Sequence, residues 1–252
     1  MKEYLIAHDL GTSADKATLF TANGERIASA SVPYEVHYAA GNRAEQNPDD
    51  WWNAVCEATR RVLEKIDAKD VAAVSFSGQM QGCVTVDRKG RPLREAIIWA
   101  DQRAVQQAKE LEDKIGFDEM YRITGHRVSP AYSIEKLMWL RDNEPDTYKD
   151  TYKMLQPKDY IILRLTGEFV TDYSDAAGSN AFDLENLGWS APIVKASNIN
   201  PERLPMPMAS TRVAGTVTKA AADACGLPVG TPVVCGGGDG PCSTVGAGCI
   251  GD

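Results

Sequence analysis

Histidine and closely spaced cysteine are scarce in this sequence. It has three histidines, and none of its six cysteines forms a Cys-x-x-Cys pair. Structural zinc is usually held by such residues, so we expect no structural zinc site. The cysteines lie instead in apolar runs such as Val233-Val234-Cys235. This placement predicts small core residues in the reducing cytoplasm.

The sequence also lacks an excess of basic charge and a long apolar run. Its 27 Lys and Arg residues are scattered and are outnumbered by 35 Asp and Glu residues, for a net charge of −8. We therefore expect no nucleic-acid partner. No apolar run approaches the roughly 20 residues of a membrane span, and the first residues show no signal-peptide pattern. We expect no membrane partner and a cytoplasmic location.

Several nucleotide and hydrolase motifs are missing as well. The sequence contains neither a Gly-x-x-x-x-Gly-Lys-Ser/Thr loop nor a Gly-x-Ser-x-Gly turn, which argues against a Walker-type enzyme and a hydrolase elbow. A Gly-x-Gly-x-x-Gly run covers residues 246–251. It follows a predicted helix rather than a strand, so we reject it as a dinucleotide-binding fingerprint.

The hydrophobic pattern that is present predicts an α/β fold. With 43% hydrophobic residues, the 252-residue chain can form a sizeable core, as one large domain or two small ones. Antiparallel strands are predicted at residues 4–8, 16–20 and 25–32, followed by an irregular loop over residues 36–46. The middle third is mostly helical, and a buried strand returns at residues 231–235. The antiparallel start argues against a purely parallel, doubly wound sheet.

The turn between the first two strands is the first candidate site. Asp9 lies at the end of the first strand, and Gly11, Thr12 and Ser13 form the turn. We expect Gly11 to adopt a positive φ and bring the backbone close to a ligand. Amide groups, two hydroxyls and the Lys16 cation would face an anion such as phosphate, and the Asp9 carboxylate could hold a divalent cation. A plain hairpin explains the same residues equally well.

Other candidate residues lie where later strands end. Three glycines precede Asp239 and present its carboxylate, either as a general base for a hydroxyl or as a plain turn or N-cap residue. Met80 and Gln81 lie in a turn flanked by glycines, where a thioether and an amide can contact a ligand or simply fill the turn. Trp99 and Arg103 could be a sugar-stacking ring and a cation, or a core ring and a surface charge.

Taken in chain order, these segments resemble the FGGY family of carbohydrate kinases, and within it the xylulokinase branch. The resemblance covers nearly the whole chain, from Asp9 to Gly248. It rests on short motifs that are weak singly but specific as an ordered set. They are Asp9-Leu10-Gly11-Thr12-Ser13 with Lys16; Glu45-Gln46-Asn47-Pro48 with Trp51 and Trp52; Ser77-Gly78-Gln79-Met80 with Gly82; Trp99 with Asp101 and Arg103; Lys136-Leu137-Met138-Trp139; Pro157-Lys158-Asp159-Tyr160; Thr166-Gly167-Glu168-Phe169; Ser174-Asp175-Ala176-Ala177-Gly178; and Gly236-Gly237-Gly238-Asp239.

The resemblance implies a fold, a domain layout and a reaction. Residues 1–252 would form the N-terminal domain of a longer kinase, an actin-like ATPase (ribonuclease H-like) domain with a mixed sheet and a helical insertion. ATP and the sugar would bind between this domain and a second one, which carries the adenosine pocket. We expect residues 1–252 alone to be inactive, because positioning both substrates is a large part of catalysis. The implied reaction is ATP-dependent phosphorylation of D-xylulose to xylulose 5-phosphate.

The resemblance also implies roles for the candidate residues. Asp239 would take the proton from the sugar hydroxyl, and Asp9 would assist Mg²⁺ and the phosphates. Residues 11–13 would form the first phosphate loop, and Met80 and Gln81 would contact the sugar. These roles agree with the demands of phosphoryl transfer, which needs positioning, charge neutralisation and a base that orients the nucleophile.

Two departures from the family pattern leave the sugar open. Xylulokinases typically have His where this chain has Gln81, and Asn where it has Gly240. One alternative is a kinase of another ketose, polyol or sugar acid. Another, from a different class, is a sugar-binding module that transfers no phosphate. Asp9 and Asp239 together argue against that module, which needs neither carboxylate. A homodimer is also left open.

Overall fold

The computed structural model describes residues 3–250, and one mixed β-sheet forms its centre. The strands are β1 (Tyr4–Leu10), β2 (Ala14–Thr21), β3 (Arg26–Pro33), β4 (His37–Ala39), β5 (Arg43–Gln46), β6 (Val71–Gly78), β7 (Val84–Val86), β8 (Ala96–Ile97), β9 (Lys153–Leu155), β10 (Val170–Asp172), β11 (Phe182–Asp183), β12 (Gly188–Trp189), β13 (Met206–Met208), β14 (Val213–Thr216), β15 (Pro232–Val234) and β16 (Gly237–Gly238). The helices are α1 (Pro48–Leu63), α2 (Val105–Ile115), α3 (Phe117–Thr124), α4 (Ser133–Asn143), α5 (Pro145–Asp150), α6 (Pro157–Thr166), α7 (Tyr173–Ala177), α8 (Ala191–Ser197), α9 (Lys219–Cys225) and α10 (Asp239–Gly246). The rejected glycine run ends at Gly251, outside the described residues.

The main sheet combines parallel and antiparallel pairs. Its spatial order is β14, β15, β6, β1, β2 and β3, and β16 also pairs with β6. β1, β15 and β16 run parallel to β6, whereas β1, β2 and β3 form an antiparallel meander. β14 is antiparallel to β15. The predicted mixed sheet and its antiparallel start are confirmed.

Side-chain burial alternates along the first two strands, because successive residues of a strand face opposite sides of the sheet. Ile6 and Leu10 of β1 are buried in one core with Leu19 of β2. Asp9 belongs to the other set and lies opposite Lys16 in the register. A shift of one residue would exchange the two sets, so the buried core fixes the position of Asp9 at the sheet edge.

Helix α1 begins with residues that are typical of a helix start. Asn47 caps it, since the Asn47 Oδ1 accepts a hydrogen bond from the Asp49 N–H at 3.1 Å, and Pro48 occupies the first turn. The helix ends at Leu63. Together with α6 and α9 it packs on the sheet and closes the main core.

A second core lies among the helices inserted after β8. It contains Leu111 of α2, Met120 of α3, Ile134 and Leu137 of α4, and Ile193 of α8. The predicted helical insertion is therefore present and has its own apolar interior. Among residues 3–250, no helix is both long enough and apolar enough to cross a membrane.

The prediction of an irregular loop over residues 36–46 is wrong. β4 and β5 form an antiparallel hairpin, and its turn contains Gly41 (φ 81°) and Asn42 (φ 56°). β5 also pairs with β8, which comes much later in the chain. β4 is exposed throughout, so the segment lacks the apolar alternation that marks a strand in a sequence.

The cysteines are free thiols, and most of them belong to the cores. Cys56, Cys83, Cys225 and Cys235 are buried, as predicted. The other two differ from that prediction, because Cys242 is half-buried and Cys249 is exposed.

Candidate active site

Strands β1, β6 and β16 end at the same edge of the sheet. Asp9 pairs with Ser77 across β1 and β6, and Gly238 pairs with Gly78 across β16 and β6. Asp239 follows β16 directly and begins α10. Ligands of open α/β sheets bind beyond the carboxyl ends of the strands. The fold thus brings the two predicted carboxylates, Asp9 and Asp239, to one such edge.

The electrostatic surroundings of Asp9 reflect this arrangement. Desolvation, and after it the negative charges of Asp239 and Asp15, raise the pKa of Asp9 above its ordinary value. The Lys16 cation and a hydrogen bond with Ser77 act in the opposite direction. Lys16 is exposed beside Asp9, where its charge is available to an anion. An added cation at this edge would reduce the repulsion between the carboxylates.

The carbonyl groups of the first turn are held by side chains from distant parts of the chain. The Tyr34 hydroxyl donates to the Gly11 carbonyl at 2.5 Å, and the Gln46 Nε2 donates to the Thr12 carbonyl at 2.8 Å. Gln79 Nε2 donates to the Gln46 Oε1 at 2.9 Å and to the Gly11 carbonyl at 3.3 Å. These contacts fix the turn from its inner side, and sequence reasoning did not assign them.

The expected positive φ at Gly11 is wrong. The turn closes through a hydrogen bond from the Gly11 N–H to the Ala14 carbonyl at 3.0 Å, without a positive φ. A Cβ at Gly11 would lie 3.3 Å from that same oxygen. The glycine therefore lets the two ends of the turn approach closely. Within residues 3–250, no hydrogen bond occupies the amides of Thr12 and Ser13. These two N–H groups remain available to an anion.

A cavity of about 300 Å³ opens at the same edge, and Thr12, Met80, Gln81, Trp99 and Asp239 line it. Trp99 is 46% exposed, so the alternative of a core ring is wrong. Its indole N–H donates to the Thr12 Oγ1 at 2.9 Å, which joins the wall of the cavity to the first turn. An exposed ring of this kind offers an apolar face to a sugar.

The turn that carries Met80 and Gln81 has a strained backbone that neighbouring residues support. Gln81 has a φ of 63°, in the left-handed region that residues with a side chain rarely adopt. Its carbonyl accepts a hydrogen bond from the Lys136 Nζ at 2.7 Å. Met80 packs against Gly238, where a Cβ would lie 2.4 Å from the Met80 Sδ. The fold therefore holds both side chains at the cavity.

Lys136 is a contributor to the site that sequence reasoning missed. Its amine is fully buried and donates to the carbonyl oxygens of Gln81 (2.7 Å), Ile98 (2.8 Å) and Ala131. Burial lowers the pKa of Lys136 to about 7. Because Ile98 precedes Trp99, a single amine supports two walls of the cavity. A lone lysine within an apolar helical motif was the signal available in the sequence.

Glu135, next to Lys136, provides a test of these buried charges. Asn180 Nδ2 donates to its Oε1 at 2.9 Å, its Oε2 has no partner among the described residues, and burial raises the pKa of Glu135 from 4.5 to about 8. Between these values the folded state keeps a proton that the unfolded state releases, so stability falls as pH rises. Glu135→Gln removes the titrating carboxyl group and with it this dependence of stability on pH. We expect its free energy of unfolding, relative to the parent, to rise by up to about 1.4 kcal/mol per pH unit.

The measurement is urea unfolding of residues 1–252 across this pH window, for the parent and for Glu135→Gln. Glu112→Gln, at an exposed position of α2, is the matched control and is expected to follow the parent. Parallel stability profiles for the parent and Glu135→Gln would show that Glu135 does not titrate in this range.

Arg103 has a structural role. It forms ion pairs with Asp101 (2.6 Å) and Glu45 (2.7 Å), and its side chain is 3% exposed. Its guanidinium lies 4.9 Å from the centre of the Trp139 ring. Both alternatives weighed from the sequence, a sugar-binding cation and a surface charge, are therefore wrong. The ion pairs hold the segment that follows Trp99.

The residues at this edge suit a metal ion that arrives with phosphates. Among residues 3–250, no group of three or more His, Cys, Asp or Glu side chains could hold a metal. Mg²⁺ usually keeps several waters and binds through one or two carboxylates together with substrate phosphates. Asp9, which shares the edge with Asp239 and the first turn, meets that requirement.

Comparison with known proteins agrees with this geometry. Residues 4–246 match the model described as FGGY family of carbohydrate kinases, N-terminal domain. A xylulose kinase of Staphylococcus xylosus is 34% identical over 245 residues, which cover 97% of this chain and 51% of that protein. The chain therefore spans about half the length of the curated relatives it matches.

Solved structures show the same likeness. A gluconate kinase from Lactobacillus acidophilus superimposes with a TM-score of 0.92 at 32% identity, over 98% of this chain and 50% of its own. A ligand-bound xylulose kinase from the same organism gives a TM-score of 0.91 at 32% identity, with the same coverage. The predicted actin-like ATPase fold is confirmed.

Proposed function

Because this chain belongs to the FGGY family of carbohydrate kinases, we propose that it is the first domain of a longer enzyme that phosphorylates D-xylulose with ATP. The product is xylulose 5-phosphate. The observation that carries the proposal is the convergence of Met80, Gln81, Trp99 and Asp239 on one cavity, beside the Asp9 carboxylate and the first turn. A sugar-binding module would need neither carboxylate. The cytoplasmic location and the homodimer remain predictions.

Asp239 is the proposed general base. Its Oδ1 accepts a hydrogen bond from the Gly240 N–H at 2.8 Å, which orients the carboxylate. No hydrogen bond within residues 3–250 occupies the Oδ2, so this atom is free to accept the proton of a sugar hydroxyl. Removing that proton as the oxygen attacks the phosphoryl group prevents a positive charge from building on the nucleophile.

Asp9 and the first turn form the proposed phosphate side of the site. The free amides of Thr12 and Ser13 and the exposed Lys16 supply positive charge and donors for phosphate oxygens. Bound Mg²⁺ would neutralise the phosphate charge there, with Asp9 as its carboxylate. The hydrogen bond between Trp99 and Thr12 connects this side with the sugar cavity.

The charge of the cavity favours a neutral ketose. None of the five lining residues is a cation, and one of them is the Asp239 carboxylate. A gluconate carboxylate would therefore face a like charge without a partner, which costs several kcal/mol. The likeness to a gluconate kinase keeps a sugar acid as the second candidate. Gln81, a neutral amide, can donate to and accept from sugar hydroxyls.

A panel of phosphate acceptors tests the proposal. The full-length protein is incubated with ATP and with xylulose, ribulose, gluconate or glycerol, and ADP release is followed in a coupled assay. We expect the highest kcat/KM with xylulose, and a value for gluconate lower by about 100-fold or more. Residues 1–252 alone serve as the control, without useful turnover. A preference for gluconate would replace the ketose proposal, and no ADP release with any acceptor would refute the kinase proposal.

A further inference from the structure

A buried ion cluster lies beneath the glycine turn that precedes Asp239. The Lys158 Nζ lies 3.0 Å from the Asp159 Oδ1, 3.2 Å from the Asp172 Oδ1 and 3.2 Å from the Asp175 Oδ2, and all four side chains are fully buried. Unpaired charges are costly in such a place. Three carboxylates share a single ammonium group, so they cannot all be equally ionised.

Of the three carboxylates, Asp172 is the one whose pKa is lowered. Burial opposes the charge of Asp172, but Lys158 and the hydrogen bonds from Ser174 and Ser210 outweigh it and lower the pKa of Asp172. Burial raises the pKa of Asp159 and Asp175 in spite of Lys158. Asp172 is thus a fixed anion with strong hydrogen-bond acceptors.

Asp172 is linked to Gly238 through the hydroxyl of Ser174, whereas Ser210 contacts the turn only with its backbone carbonyl, which accepts the Gly236 N–H at 2.9 Å. The Ser174 hydroxyl donates to the Asp172 Oδ2 at 2.6 Å and accepts the Gly238 N–H at 2.9 Å. A serine hydroxyl has only one proton, and Ser174 donates it to Asp172. The Ser174 oxygen therefore has a lone pair free to accept the hydrogen bond from the Gly238 N–H. Ser210 also donates to the Asp172 Oδ2, at 2.7 Å, but its hydroxyl makes no hydrogen bond to Gly238.

The turn depends on such outside contacts because it has no side chains of its own. Glycine loses the most backbone freedom on folding, and three in succession leave the position of the next residue weakly defined. We propose that Ser174, oriented by Asp172 and Lys158, is a positioning residue that holds the Gly238 amide and so fixes the Asp239 carboxylate at the cavity. This inference rests on the proposed function of Asp239 as a base.

Ser174→Ala and Ser210→Ala form a matched pair in the full-length protein. Each removes one hydroxyl from the Asp172 Oδ2, but only Ser174→Ala removes the acceptor of the Gly238 N–H. We expect Ser174→Ala to lower kcat by about 10–100-fold, since small misplacement of a reacting group is costly, with a change in sugar KM of only about 2-fold. Ser210→Ala should lower kcat by less than about 3-fold.

Amide hydrogen exchange tests the link without relying on catalysis. Ser174→Ala should speed the exchange of residues 237–240 in the folded full-length protein by about 10-fold, because the Gly238 amide loses its partner, whereas Ser210→Ala should leave it near the parental rate. Unchanged exchange in Ser174→Ala, or equal kcat losses in both variants, would overturn the inference. If the parent phosphorylates no acceptor, the proposed function fails, and the exchange data alone still support or refute the link from Ser174 to Gly238.

Discussion

Asp239→Asn is expected to lower the kcat of the full-length protein by at least about 10²–10⁴-fold. The amide keeps the shape of the side chain and one acceptor oxygen, but it cannot take a proton at neutral pH. Asp239 lines the cavity and begins α10 directly after β16. The substitution therefore removes the carboxylate that we propose activates the sugar hydroxyl. Sugar affinity should change much less than turnover. Coupled ADP release gives kcat, and calorimetry gives the sugar affinity.

Asp223→Asn is the control for removing a negative charge. Asp223 lies on α9, where it pairs with Lys219 at an exposed position outside the cavity. This variant should retain the parental kcat within about 2-fold, since exposed ion pairs contribute little to stability. A parental kcat for Asp239→Asn would remove Asp239 from the role of base.

Gly236→Ala is expected to have the largest effect on stability. Gly236 has a φ of 70°, and a Cβ there would lie 1.9 Å from the Phe76 carbonyl oxygen. The left-handed backbone alone costs an alanine about 1–2 kcal/mol. The overlap adds more, because the obstacle is backbone of the central strand β6 and cannot rotate away. We expect a loss of at least about 3 kcal/mol in the free energy of unfolding of residues 1–252 in urea.

Gly240→Ala is the matched variant four residues later. A Cβ at Gly240 would have only the Met80 Sδ nearby, at 4.0 Å, and the residue lies in the first turn of α10. Alanine is favoured over glycine in a helix by up to about 1 kcal/mol, so this variant should be as stable as the parent or slightly more stable. Equal unfolding free energies for the two alanine variants would show that the turn relaxes freely around position 236.

The parts of the site that could be predicted are those marked by local sequence signals. The turn at residues 11–13 and the glycines before Asp239 interrupt apolar runs, and strand ends of this kind present side chains to ligands. Met80 and Gln81 were found in the same way, between two glycines. Trp99 follows a short apolar strand, and its ring could be proposed as a contact for a ligand on that ground. The ring is exposed in the structure, as that proposal requires.

The parts that could not be predicted depend on contacts between distant segments. Lys136 reaches the Gln81 carbonyl 55 residues earlier in the chain, and Gln79 reaches the Gly11 carbonyl across 68 residues. No local pattern encodes such pairings. The sign of φ at Gly11 could not be predicted either, because a glycine in a turn can adopt both signs. The hydrogen bond from Gly11 to Ala14 that closes the turn fixes the sign in the structure.

The exposure of Trp99 gives the cavity a natural fluorescent reporter. Of the five tryptophans in the sequence, all within the described residues, Trp51 and Trp52 are buried and only Trp99 is exposed, at 46%. A water-soluble quencher such as acrylamide therefore reaches this indole more readily than the others. A bound sugar that covered the ring would shield it, so occupation of the cavity could be followed by the emission of the unlabelled chain.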